Sequence, residues 1–285
     1  MNRTVYLNGD YLKETEAKVS IFDRGFLFAD AVYEVTAVLG GKLVDNAGHV
    51  ARLERSCKEL GIKMPVTVHE LTQIQKRLIT INGLKEGGVY LQLTRGEEGD
   101  RDFSFGEDVK PTLVLFTQQR ALIDSVPAKK GIKVLSMDDI RWRRRDIKTT
   151  SLLPACLAKH VAHQAGCDDV WLIEGGFVTE GGSSNAYIVT DDNKIVTRPL
   201  SNDILHGITR SSLLQLAKDC NLAVEERAFT IEEAYRAKEA FVSSATTFIW
   251  PVVSIDGNTI GSGKPGEIAS KLRDIYIQTA MELAK

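Results

Sequence analysis

Val170 to Pro199 reads VWLIEGGFVTEGGSSNAYIVTDDNKIVTRP. Short runs rich in Val, Ile and aromatic residues alternate with Gly-Gly, Gly-Gly-Ser-Ser and Asp-Asp-Asn, each a turn signal. The stretch predicts an antiparallel meander, and it places Glu180 at the end of one strand. Upstream, IKVLSMDDIRW (Ile132 to Trp142) predicts a strand and LLPACLAKHVAHQAG (Leu152 to Gly166) a helix. Downstream, helices are expected at Ser211 to Cys220 and near Ile231 to Arg236. A strand follows in FVSSATTFIWP (Phe241 to Pro251), and a last helix begins at Gly266.

The first part of the chain has a different texture. TVYLNGDYL (Thr4 to Leu12) alternates around Asn-Gly, and AVYEVTAVLGGKLV (Ala31 to Val44) around Gly-Gly, so both predict hairpins. In HVARLERSCKELGI (His49 to Ile62), Val50, Leu53, Cys57 and Leu60 recur at helical spacing before Gly61. HELTQIQKRLITING (His69 to Gly83) predicts a second amphipathic helix, and GVYLQLTRG and PTLVLFTQ predict two more strands. QRALIDSVPAKKG (Gln119 to Gly131) breaks the pattern. The expected organisation is α+β in two domains. A small N-terminal α/β domain spans 1–118 and a linker 119–129. A larger domain spans 130–285, its mostly antiparallel, barrel-like sheet flanked by helices.

With 285 residues and a net charge of −2, the chain has material for two cores and no global preference for nucleic acid or anionic membrane. No apolar run approaches the ~18 residues that span a bilayer, and MNRTVYLNGDYLKE does not read as a signal peptide. The four cysteines are scattered, against a disulfide framework. Together these features lead to an expectation of a cytoplasmic enzyme.

Three segments carry chemistry. Lys148, in DIKTTSLL (Asp146 to Leu153), lies among small hydroxyl residues between a strand and a helix, where an amine can be partly desolvated. Glu180 follows it by 32 residues. Taken alone it reads as a hairpin-turn glutamate, while Gly181 and Gly182 would let backbone approach a flat ring. HGITRSSLLQLAK (His206 to Lys218) is a glycine turn opening into a helix, whose free N–H groups and dipole suit a phosphate. An ordinary capped helix is the alternative. A buried amine, a buried carboxylate and a phosphate-grade helix end are together what a pyridoxal 5'-phosphate site needs.

Three other patterns compete. Cys156, His160, His163 and Cys167 share one helical face but would stretch over roughly 16 Å, too far to converge on one zinc ion; no metal site is expected. GNTIGSGKP resembles a phosphate loop with the wrong spacing and Pro265 in place of Ser or Thr. RWRRRD (Arg141 to Asp146) leads into Lys148, which suggests a rim attracting carboxylate substrates through Arg143 and Arg144; a solvated strand is the alternative.

With FDRGFLFADAVYEV, HVARL, DIKTTSLLPACLAK, VTEGGSSN and GIT in this order, the chain resembles the fold-type IV pyridoxal phosphate aminotransferases, and most closely the D-amino-acid transaminases. The resemblance runs over nearly the whole chain. It implies that Lys148 is the Schiff-base lysine and Glu180 the partner of the pyridine nitrogen. It also makes Arg52, Ile208 and Thr209 phosphate ligands and sets Tyr33 against the substrate carboxylate. The family binds that carboxylate with an Arg-x-His loop of the partner subunit, which implies a homodimer. Here the loop reads Arg101-Asp102-Phe103, keeping the arginine and losing the histidine. Where relatives often place a phosphate-binding threonine the chain has Ala245, so the flanking Ser244 and Thr246 are the expected cofactor contacts.

The implied activity is transfer of an amino group between an amino acid, D-alanine or D-glutamate for example, and a 2-oxo acid, with ping-pong kinetics. A branched-chain L-amino-acid transaminase, an aminodeoxychorismate-type lyase and a cofactor-free binding protein with remnant motifs are the alternatives, the last opposed by intact Lys148 and Glu180. Against the first, VYEVTAV lacks the arginine such enzymes carry shortly after the aromatic position.

Overall fold

The computed structural model describes residues 3–283; residues 1–2 and 284–285, at the ends of the expected domains, lie outside that range. The chain divides into two compact units. One takes the chain as far as Ala121 together with Ile147–Ser151, and the other takes Leu122–Asp146 and Leu152–Glu282.

The first unit holds β1 (Thr4–Leu7), β2 (Asp10–Lys13), α1 (Arg24–Phe28), β3 (Ala31–Leu39), β4 (Lys42–Leu43), α2 (Asn46–Leu60), α3 (Val68–Ile81), β5 (Glu86–Thr94) and β6 (Thr112–Gln119). Its sheet runs β2-β1-β6-β5-β3-β4, with every neighbour antiparallel. The Asn8-Gly9 turn has positive φ at both residues, as a two-residue hairpin requires. Gly61, also left-handed, ends α2, while a Thr67–Glu70 capping box starts α3. On β5, Val89, Leu91 and Leu93 share one face, and Leu53 of α2 and Leu71 and Leu78 of α3 join them in one core.

Ile147 belongs to that same core. Its neighbours are fastened along β3: the Tyr33 N–H donates to the Lys148 carbonyl, and the Thr150 N–H to the Ala31 carbonyl. This short return of the chain is why Lys148 belongs to the first unit although Leu122–Asp146 belongs to the second.

The second unit holds α4 (Val126–Lys130), β7 (Ile132–Asp138), α5 (Leu153–Gln164), β8 (Asp169–Glu174), β9 (Phe177–Gly181), β10 (Asn185–Val189), β11 (Ile195–Thr197), α6 (Ile208–Asp219), β12 (Val224–Glu226), α7 (Ile231–Tyr235), β13 (Glu239–Ser244), β14 (Phe248–Ile255), β15 (Asn258–Thr259) and α8 (Glu267–Leu283). The main path of the sheet is β12-β11-β10-β13-β14-β7-β8-β9, with β15 beside β14. Pairing is antiparallel except at β11–β12, β14–β7 and β7–β8.

That order forces curvature. From β10 to β9 the path takes five inter-strand steps, about 24 Å if flat. Yet Gly181 and Asn185 are joined by a link that reaches at most about 14 Å. The sheet therefore curls back on itself as a partial barrel. The Gly181 N–H donates to the Ser184 carbonyl at the closing turn.

The single strand expected over Phe241 to Pro251 is instead a hairpin, in which Ser244 pairs with Phe248 and Phe248 has φ 54°. Ala245, Thr246 and Thr247 make the turn without a Gly, Pro or Asn, so no turn signal marked it. Among the described residues no helix is long and apolar enough to cross a membrane.

Candidate active site

In the first unit the functional side chains hang on β3, α2 and the Lys148 return. Tyr33 and Glu34 are consecutive on β3, so they point to opposite faces. The Lys148 ammonium lies 4.2 Å from the centroid of the Tyr33 ring, and among the described residues it makes no hydrogen bond or ion pair. It is half-buried. An amine held against an aromatic face and bound to no carboxylate is available for covalent chemistry.

Arg52 is not the solvated arginine its flanking position on the helix would ordinarily imply. It is buried and grips Glu34 with two parallel bonds, Nε to Oε1 at 2.7 Å and Nη2 to Oε2 at 2.8 Å. His49, one helical turn earlier, meets Oε2 at 2.8 Å. Burial works against the Glu34 charge, but Arg52 and His49 overcome it and hold the carboxyl at about 2.

In the second unit Glu180 ends β9, 4% exposed. Arg141 Nη1 donates to its Oε1 at 2.6 Å, while Asn185 Nδ2 and the Leu205 N–H donate to Oε2 at 3.2 and 3.0 Å. A carboxylate has about four lone-pair positions. Three donors therefore leave one acceptor position open. Burial pushes the Glu180 carboxyl above its ordinary range, against the pull of Arg141 and Leu205. Arg141 also donates to Asp139 and is held above its ordinary value despite burial.

Asn185 links Glu180 to the start of α6. Besides Glu180 it donates to the Leu205 carbonyl at 3.0 Å, and its Oδ1 fills the space a side chain at Gly207 would need. Gly207 is the N-cap of α6 and offers no side-chain acceptor to the helix. Ile208 and Thr209 thus form the first turn of a 12-residue helix whose N-terminus is uncapped by any side chain. A Cβ at Gly181 would meet the Ser184 hydroxyl, and one at Gly182 would meet Lys159 and Val170.

Ser244 and Thr246 both lie at the β13–β14 turn, half-buried. The Ser244 hydroxyl is paired with that of Thr247 at 2.8 Å. Arg101 lies in the first unit's exposed 98–106 loop, its guanidinium against Phe28 and Phe103.

In the run expected to form an arginine rim, Arg141–Asp146, three of the four arginines are paired with carboxylates. Arg141 belongs to Glu180 and Asp139, Arg144 to Asp146, and Arg145 to Glu174 and Asp139; of the four, only Arg143 is both exposed and without an ion pair among the described residues. Arg141 and Arg144 each find a carboxylate two residues away, so the run neutralises itself. Cys167, expected on one helical face with Cys156, lies past the end of α5 at Gln164.

Glu34, His49, Arg141, Asn185 and Leu205 were not singled out from sequence. The three-residue spacing of His49 and Arg52 was a usable signal for two polar groups on one helical face. Asn185 stood in the quoted turn, but its reach to Leu205 depends on a contact 20 residues away.

A family model described as amino-transferase class IV matches residues 31–255. Over 278 residues the chain is 39% identical to a D-alanine aminotransferase of Bacillus licheniformis, covering 98% of this chain and 95% of that one. A D-alanine aminotransferase of Staphylococcus aureus (strain N315) is 37% identical over 272 residues, covering 95% of each. Among solved structures, a branched-chain amino acid aminotransferase from Thermoproteus uzoniensis with norvaline aligns with a TM-score of 0.86 at 26% identity, over 98% of this chain and 95% of that one. A branched-chain amino acid aminotransferase from Escherichia coli also gives 0.86, at 20% identity over 100% and 96%, a likeness of fold.

Proposed function

The chain belongs to the class IV aminotransferases, and from that premise we propose that it moves an amino group between a D-amino acid, such as D-alanine or D-glutamate, and a 2-oxo acid. Class IV aminotransferases use pyridoxal 5'-phosphate, and the residues present fit it. The observation that carries this reading is Glu180: a buried carboxylate with three donors and one acceptor position left, suited to a protonated ring nitrogen. Similarity to the two D-alanine aminotransferases supports the D-configuration.

Bound pyridoxal 5'-phosphate supplies an electron sink for the charge left at Cα when its proton departs. Lys148 is the amine that holds the cofactor's aldehyde carbon at rest. The same amine, when free, would move a proton between Cα and C4′. Glu180, oriented by Arg141, Asn185 and Leu205, would keep a proton on the ring nitrogen. By the family resemblance, Arg52, the N–H groups of Ile208 and Thr209, and the hydroxyls of Ser244 and Thr246 would hold the phosphate. Tyr33, whose hydroxyl makes no hydrogen bond among the described residues, and Arg101 orient the substrate carboxylate. The protein acts as a cytoplasmic homodimer; the exposed apolar side chains of Ile21, Phe22 and Phe26 support a second copy covering the first unit's surface.

Half-reactions of the yellow holoenzyme with D-alanine, D-glutamate, L-leucine and L-glutamate test the substrate. Conversion by the D-amino acids is expected. Conversion by the L-amino acids alone would favour the branched-chain reading, which the fold neighbours keep in view. Borohydride reduction and peptide mapping test the amine: a pyridoxyl label anywhere but Lys148 contradicts its role.

A further inference from the structure

We propose that Phe103, with Phe28, forms an aromatic clamp that pre-positions the Arg101 guanidinium for the substrate carboxylate, standing in for the histidine that the loop lacks. The inference rests on the proposed function, in which Arg101 meets that carboxylate.

The Arg101 guanidinium carbon lies 4.9 Å from the Phe28 ring centroid and 5.0 Å from that of Phe103. The two rings are 5.5 Å apart and tilted by 46°. Both are within the range in which the negative face of a ring attracts a cation. Among the described residues Arg101 makes no ion pair, so the rings are what hold it. Glu98 and Asp102, the nearest carboxylates in the loop apart from Asp100, are engaged elsewhere: Glu98 accepts the Gly106 N–H, and Asp102 accepts the Ser104 N–H.

The clamp has a rigid base. Arg24, 7% exposed, donates to the carbonyls of Asp102, Phe103 and Ser104 at 2.7, 3.2 and 3.1 Å, and its Nε is fixed by Asp30. Arg95 grips the same Asp30 and lies 3.8 Å from the Phe105 ring centroid. Phe28 is the last residue of α1, directly before the left-handed Ala29. Backbone, aspartate and ring therefore fix the loop around one long, otherwise flexible side chain.

The chemistry follows from what phenyl can and cannot do. It gives no hydrogen bond to a carboxylate, so it adds no direct contact of the kind a histidine makes. It does reduce the freedom an arginine must lose on binding, and leaves the guanidinium edge, which carries the N–H donors, to the ligand. Phe103 is 76% exposed, so replacing it opens no core cavity.

The test is steady-state kinetics of the holoenzyme with D-alanine and a 2-oxo acid, with acetate as a non-reacting carboxylate inhibitor. Phe103→Leu is expected to raise KM for D-alanine and Ki for acetate by roughly three- to tenfold, with kcat and cofactor affinity unchanged. Phe103→Trp, which keeps a ring face, is expected to stay within about twofold of the parent. Arg101→Ala separates the two ideas. If it leaves KM and Ki unchanged, the carboxylate reading of Arg101 fails. If it raises both while Phe103→Leu changes neither, that reading stands and the clamp is overturned. A Phe103→Leu effect on kcat or cofactor affinity as large as that on KM, or Phe103→Trp behaving like Phe103→Leu, also overturns it.

Discussion

Glu34 in the first unit and Glu180 in the second are both buried carboxylates facing an arginine, yet burial wins at one and loses at the other. At Glu34 the arginine binds with two parallel bonds and His49 adds another, so the charge is held at about 2. At Glu180 the arginine gives one bond and shares itself with Asp139, while the other donors are amides without net charge. Its carboxyl is pushed up. The first carboxylate is matched by the charge of its arginine and serves to orient Arg52. The second is left short of positive charge, which suits it to the proposed pairing with a protonated ring nitrogen.

The largest break in this contrast is expected from Glu180→Gln. Removing the charge proposed to face the cofactor ring should lower kcat by about 10²- to 10³-fold at saturating cofactor, with the thermal midpoint little changed. Glu34→Gln should do the reverse. It leaves Arg52 buried without its partner, costing on the order of 3 kcal/mol of stability and weakening cofactor retention more than the chemical step. Urea melts and single-turnover rates on both variants measure this. If the kinetic loss falls on Glu34→Gln and the stability loss on Glu180→Gln, the assignment of roles is reversed.

The pH dependence sharpens the same contrast. The Glu34 carboxyl is depressed from 4.5 when unfolded to about 2 when folded. Its contribution is therefore fully present above pH 4.5 and disappears as the pH falls through 4.5 towards 2. The shift corresponds to on the order of 3 kcal/mol. Stability measured across that window should fall more steeply in the parent than in Glu34→Gln, by about one proton's worth of slope. Parallel curves for the two proteins would show that the Arg52–His49 hold on Glu34 does not stabilise the fold.

Much of the scaffold was legible because its signals are local. The Asn8-Gly9 hairpin, the Gly61 stop and the Thr67–Glu70 start each depend on a few adjacent residues. The β13–β14 turn was not legible, since Ala-Thr-Thr carries no turn signal and only pairing between strands bends it. The same division holds in the site. Lys148 and Glu180 are proposed from their spacing and the resemblance. The partners that tune Glu180 could not be read that way: Arg141 comes from 39 residues away and Leu205 from 25, across a sheet whose curl no single segment encodes. In the arginine run the pairing is local, Arg141 with Asp139 and Arg144 with Asp146, two residues away in each case.

The smallest effect is expected at Asn185, and it tests whether Glu180 acts through its own charge or through its fixed orientation. Asn185→Ala removes the donor at 3.2 Å from Glu180 and the one at 3.0 Å from the Leu205 carbonyl. Arg141 and the Leu205 N–H remain, so kcat should fall by about three- to tenfold, in keeping with the ~1 kcal/mol of a typical hydrogen bond. Asn185→Asp is the sharper probe, because it keeps the shape beside Gly207 but replaces a donor with a like charge. Repulsion raises the Glu180 carboxyl further, so the activity of Asn185→Asp should recover as pH rises, whereas the Asn185→Ala deficit should be flat with pH. An Asn185→Ala loss as large as that of Glu180→Gln would mean that orientation, rather than charge, is what Glu180 supplies.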